Sequence, residues 1–181
     1  HDVTNRHFAK KGIESGVDGL ICVNNRAGGH LGSHSMEDMY KELNDLGLPL
    51  ICAGGIGSEI ELSKALKIGF DGVQMGTRFV ASTECNTLEN YKTAIVNASE
   101  EDIVSTTRLT GVPVSVIKSE GFRKDNTWLI KKLLESRFKH KARRILNLIS
   151  LFQSKYFLKK SKAKNSKKIQ SLYSAGKSVH T

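Results

Sequence analysis

Two periods alternate along the first two-thirds of this chain. Residues 17–23, 48–53 and 70–75 are short, nearly continuous apolar runs, the pattern of strands buried on both faces. Between them the apolar positions change to helical spacing. Phe8, Ala9 and Ile13 lie within residues 6–15 ahead of Gly16. Met36, Met39, Tyr40, Leu43 and Leu46 follow Ser35, and Ile60, Leu62, Leu66 and Ile68 follow Ser58. Ser35 and Ser58 are predicted N-caps, with Glu37 and Asp38 in a first turn where the helix dipole favours carboxylates. Gly47 and Gly69 are predicted stops. A further helix is expected over residues 87–98 and an extended stretch over 103–107. Near-continuous strands alternating with helices predict an α/β fold, with parallel strands covered by helices.

Each of the three strands runs into glycine and a polar group. The first is followed by Asn24-Asn25-Arg26-Ala27-Gly28-Gly29-His30-Leu31-Gly32, the second by Gly54-Gly55-Ile56-Gly57-Ser58, the third by Gly76-Thr77-Arg78-Phe79. In parallel α/β folds ligands bind at the carboxyl ends of strands. Glycine lets a ligand approach main-chain N–H groups, and histidine exchanges protons near neutrality. The second loop opens a helix, whose N-terminus is expected to offer N–H donors and a positive dipole end to a phosphate. It has neither the Gly-Lys-Ser/Thr ending of a P-loop nor the Gly-x-Gly-x-x-Gly of a dinucleotide fold. His34 lies beyond the first motif and reads as surface.

Charge divides the chain. Its net charge of +10 combines −4 over residues 1–118 with +14 over residues 119–181, so the basic character belongs to the tail. Cys22, Cys52 and Cys85 have no metal-like spacing, and the first two sit in strands as small hydrophobes. Reduced cysteines suggest a cytoplasmic setting. No apolar run is long enough to span a bilayer.

Four motifs occur in order: Gly16-Val17-Asp18-Gly19, Ala27-Gly28-Gly29-His30, Ala53-Gly54-Gly55-Ile56 and Gln74-Met75-Gly76-Thr77-Arg78-Phe79. With them residues 1–118 resemble the nitronate monooxygenase (2-nitropropane dioxygenase) family of FMN-dependent TIM barrels. The flavin-dependent enoyl-acyl-carrier-protein reductases are similar at the same motifs. The resemblance implies the C-terminal part of a (β/α)8 barrel followed by a basic helical tail, within a longer protein, since a full barrel needs about 250 residues. It implies FMN as cofactor, held by Gly28, Gly29, Gly54, Gly55, Gln74, Met75, Gly76 and Thr77, with the catalytic residue His30 either the base or the polar group that orients the substrate beside the flavin. It also implies oxidation of alkyl nitronates by O2 to a carbonyl compound and nitrite; the alternative is enoyl-thioester reduction. Two positions depart from the family pattern: Val23 stands where a polar residue, often Gln, is usual, and Arg26 where Glu is frequent. Arg26 is expected either to attract an anionic substrate or to point into solvent.

Beyond residue 118, residues 119–158 keep apolar positions at helical spacing (Ile130, Leu134, Phe138, Ile145, Ile149, Phe152, Tyr156) among Lys and Arg. This predicts basic amphipathic helices packed on the barrel or on another protomer, as in a homo-oligomer, rather than on a membrane or nucleic acid. Residues 159–181 open with a Lys-rich linker over 159–168. They close on a segment, residues 171–176, resembling one that returns toward the flavin. A different class of function, a non-catalytic protein whose tail contacts nucleic acid or lipid, would show as steeply salt-dependent binding.

Overall fold

A computed structural model of the chain describes residues 1–107, 112–118, 174–177 and 179. The helices expected over residues 119–158 and the linker over 159–168 lie outside these residues. By internal contacts the chain divides into one unit of His1–Val104, Ser115–Ile117 and Tyr173–Thr181, and another of Ser105–Val114 and Lys118–Leu172.

The first unit is built on a four-stranded parallel sheet. Asp2–Val3 (β1), Leu20–Val23 (β2), Leu50–Ala53 (β4) and Gly72–Gln74 (β5) lie in the order β1-β2-β4-β5. In register, Val3 lies beside Cys22, Cys22 beside Cys52, and Cys52 beside Val73. Helices Arg6–Glu14 (α1), Met36–Leu43 (α2) and Glu59–Ile68 (α3) connect them. Leu20, Leu50, Met39, Leu43 and Ala65 meet between sheet and helices, with Cys22 and Cys52 among them. Tyr40 packs edge-on against Phe70 at 5.2 Å between ring centroids. Ion pairs brace the helices outside this core: Arg6 forks onto Asp45 at 2.8 and 2.6 Å, and Lys64 reaches Glu37 at 2.6 Å.

The strands are shorter than the apolar runs. Pairing starts at Leu20 and Leu50 because Pro49 has no N–H to donate and its carbonyl accepts from Leu20 N. The Leu50 N–H goes to the Asp71 side chain at 2.8 Å, which closes the entry of β5 with a turn. Ser35 and Ser58 cap helices where they are predicted to, each accepting a helix N–H; Asn5, not foreseen as a cap, does the same for α1, and Gly47 ends the second helical segment at φ 70°. The apolar side of α3 is different from the expected one. Leu62, Ala65 and Ile68 face the core, whereas Ile60 is 79% and Leu66 48% exposed. One three-residue stripe is all the sheet covers, and these two positions fall outside it.

Thr77–Val80 (α4) and Glu89–Asn97 (α5) follow β5. Gly29–His30 (β3), Val114–Ile117 (β7) and Ile103–Thr106 (β6) form a second sheet in the order β3-β7-β6. A smaller apolar cluster gathers Ile95, Ala98, Ile103, Ile117 and, from the far end of the chain, Ala175 and Val179.

Candidate cofactor and active site

Because β1, β2, β4 and β5 are parallel and in register, the segments leaving them emerge at one end of the sheet. There they enclose a cleft of about 450 Å3, within the size range of small-molecule sites. Gly28 and His30 reach it from the β2 loop, Gly54 and Gly55 from the β4 loop, and Gln74, Gly76 and Thr77 from the β5 loop. Gly29 and Met75, the other two residues the resemblance names, are not in the lining. Gly29 takes φ 73° within β3, and Met75 packs on the main core. Asp2, Thr4, Tyr91, Ser174 and Gly176 also line the cleft. Asp2 and Thr4 could have been found from the sequence, since they obey the same strand-end rule. Tyr91 gave no signal of its own beyond a helical position.

The β2 and β4 loops are joined by Asn24, a fully buried side chain. Its Nδ2 donates to the Gly54 carbonyl at 2.9 Å and approaches Cys52 Sγ at 3.7 Å, while its Oδ1 accepts from Arg26 N at 2.8 Å. The Asn24 carbonyl accepts from Gly32 N at 3.1 Å. One amide thus satisfies backbone groups on both loops that burial would otherwise leave unpaired.

The glycines matter for different reasons. Gly54 and Gly55 stand at φ 119° and 72°, where L side chains are strained. A Cβ on Gly54 would collide with Asn24 Oδ1, and one on Gly55 with the Arg26 side chain. Gly28 is needed because Gly176 N would lie 2.7 Å from its Cβ. Gly76 has no such constraint: a Cβ there meets nothing within 4 Å, so its open side faces the cleft.

The N-terminus of α3, where a phosphate is expected, is capped from within the chain. Ser58 and Glu61 close a capping box there, with Ser58 N donating to Glu61 at 2.9 Å and Ile60 N to Ser58 Oγ at 3.3 Å. Glu59 adds a second carboxylate to the first turn. Leading N–H groups of the helix are thus answered from within it. Helix α4 begins at Gly76 without a side-chain cap.

Arg26 does neither of the two things expected of it. Its guanidinium forms an ion pair with Glu100 and donates to the Lys177 carbonyl at 2.9 Å. Burial pushes the thiols of Cys22 and Cys52 up to about 12 and about 11, so both stay protonated beneath the cleft and supply no nucleophile. Among the described residues no group of three or more His, Cys, Asp or Glu could hold a metal, and no helix is long and apolar enough to cross a membrane.

A family model described as nitronate monooxygenase matches residues 3–179. The chain belongs to the nitronate monooxygenase family. A probable nitronate monooxygenase of Staphylococcus saprophyticus is 32% identical over 126 residues, which is 63% of this chain and 36% of that protein. Among solved structures, FabK from Thermotoga maritima matches with TM-score 0.69 and 26% identity, over 98% of this chain and 53% of that one. A nitroalkane oxidase from Streptomyces ansochromogenes matches with TM-score 0.58 over 64% of this chain and 37% of its own, at 23% identity; that likeness concerns the fold alone. The chain therefore spans about a third of the length of its curated relative and half that of FabK.

Proposed function

We propose that this chain carries the cofactor-binding and proton-transfer part of an FMN-dependent enzyme that oxidises alkyl nitronates with O2 to a carbonyl compound and nitrite. The supporting observation is the meeting, in one cleft, of bare glycine backbone from three strand ends with the side chain of His30. FMN fits these residues. Its phosphate needs N–H groups approachable without side-chain obstruction, which the backbone at Gly54, Gly55, Gly76 and Thr77 offers, and its flat ring system needs a concave, mostly uncharged cleft. The Gln74 amide would donate to or accept from ring heteroatoms. When bound, FMN supplies the electron acceptor and the reactivity toward O2.

What the chain itself contributes is position and a proton acceptor. An imidazole nitrogen of His30 takes the α-proton of a neutral nitroalkane, generating the nitronate in place. A preformed nitronate bypasses that step and uses the same residue only for orientation. Val23 lines the cleft as an apolar wall, which favours alkyl substituents over polar ones.

The test is made on the native protein. Visible flavin absorbance on purification, with oxygen-dependent release of nitrite from alkyl nitronates, is the expected result. Anaerobic bleaching of that absorbance by NADH or NADPH, with no nitrite formed, would assign the site to enoyl-thioester reduction instead. A colourless protein that takes up no FMN would remove both readings.

A further inference from the structure

Residues 174–177 return from the far end of the chain and lie across the first glycine loop, held there in part by Arg26. The Lys177 N–H donates to the Arg26 carbonyl at 2.9 Å, and Arg26 Nη2 donates back to the Lys177 carbonyl at 2.9 Å. Arg26 thereby bonds both backbone groups of one residue 151 positions away. The same guanidinium pairs in a fork with Glu100, which fixes its plane. Its stem lies on Gly55: a Cβ placed there would come within 2.9 Å of Arg26 Cδ. The Gly55 loop and residues 174–177, which contribute to the cleft lining, and Glu100 outside it therefore converge on one side chain.

Further ties hold the segment, and the Ser115 carbonyl accepts from both Ala175 N and Ser174 Oγ at 3.4 Å. Gly176 N donates to Thr77 Oγ1 at 2.9 Å, Tyr91 donates its hydroxyl to the Ser174 carbonyl, and Ala175 is buried in the smaller apolar cluster. Gly176 admits no side chain, because a Cβ would meet Gly28 N at 2.7 Å and Arg26 O at 2.8 Å. The segment thus forms a wall of the cleft through Ser174 and Gly176.

We propose that Arg26 is a positioning residue that fastens residues 174–177 over the cofactor cleft, so that retention of the cofactor is coupled to the Arg26–Glu100 ion pair. The coupling to FMN rests on the reading above; the fastening does not. Lys cannot replace Arg here, because a single ammonium does not present the planar fork that reaches a carboxylate and a carbonyl together. Since the pair is partly exposed, salt screens it. Cofactor retention in the parent protein is then ionic-strength dependent, although FMN sits in a cleft of bare backbone.

Arg26→Gln, Arg26→Lys and Glu100→Gln, made in the native protein, test this with two measurements. The first is amide hydrogen exchange at Gly176 and Lys177 in the cofactor-free protein. Exchange is expected to quicken about tenfold in Arg26→Gln and about threefold in Glu100→Gln, of the order set by losing charge-assisted hydrogen bonds near a surface. Arg26→Lys falls between the parent and Arg26→Gln. The second is the FMN dissociation constant at low and high salt. It rises by similar factors in the variants, and the salt dependence of the parent disappears in Arg26→Gln. Unchanged exchange in both Arg26→Gln and Glu100→Gln would overturn the fastening role. Faster exchange with unchanged FMN affinity would overturn the coupling. If the parent binds no FMN, the cofactor reading fails, while the exchange result still decides the fastening. Glu100 is exposed and outside both apolar clusters, so its variant remains informative should an Arg26 variant not fold.

Discussion

At the scale of single residues, the glycines of the cleft separate into those the protein needs and those a ligand would need. Gly55→Ala is expected to disturb the β4 loop even without cofactor, because φ 72° and the Arg26 side chain both oppose a Cβ. At Gly76 a Cβ would meet no protein atom within 4 Å and φ is −117°, so Gly76→Val suits the backbone. It should leave the thermal midpoint within about 2 °C of the parent, as surface substitutions usually do. Its FMN affinity should fall at least about tenfold, as equilibrium binding by flavin fluorescence would report; undiminished affinity would place the phosphate elsewhere. Asn24→Leu leaves the Gly54 carbonyl and the Arg26 N–H without their partner. A loss of about 2 kcal/mol or more is expected in urea denaturation, from the cost of unpaired buried groups. For His30→Asn, turnover of neutral nitroalkanes should drop by about two to four orders of magnitude, the usual worth of a general base. Turnover of preformed nitronates should drop much less. Equal losses on both substrates would make His30 an orienting group.

The elements show how local signals are used twice. The capping box of Ser58 and Glu61 both starts α3 and answers N–H groups of that helix end. Ser58→Ala should cost about 1 kcal/mol, the usual worth of an N-cap. The hydrogen bond from Ser58 holds the Glu61 carboxyl below its ordinary value. A carboxylate whose folded pKa is depressed contributes stability above its unfolded pKa, about 4.3, and loses it as pH falls through the folded value. Melting curves of the parent and Glu61→Ala should therefore differ at neutral pH and converge in acid below that range. A gap that persists there would mean the carboxylate's charge is not what caps the helix.

On the scale of the whole molecule, the smaller cluster depends on residues from the far end of the chain. Ala175 and Val179 complete the packing of Ile95, Ala98, Ile103 and Ile117. A chain ending at residue 173 is expected to lose FMN and to bind a hydrophobic dye, since it uncovers this cluster and removes a wall of the cleft together. Retention of flavin by that truncation would show that the wall is dispensable.

The sequence by itself determined the alternation of buried strands and capped helices, and with it the parallel order that brings three glycine loops to one end. Those features depend on residues close in the chain: Ser35 and Ser58 beside the helices they cap, Gly28, Gly54 and Gly76 at the exits of their strands. His30 was legible as a candidate for the same reason. What only the tertiary structure decided is where side chains go when their partners are distant. Arg26 reads locally as a cation beside a binding loop, yet Glu100 and Lys177 occupy its guanidinium. Asn24 reads as a loop residue, yet it bridges two loops because Gly54 approaches it across the sheet. Ile60 reads as apolar face, yet Leu62, Ala65 and Ile68 are the α3 side chains that pack on the core. Hydrogen-bond and packing partners far apart in the chain are set by sheet order and register, which a local pattern implies only in part.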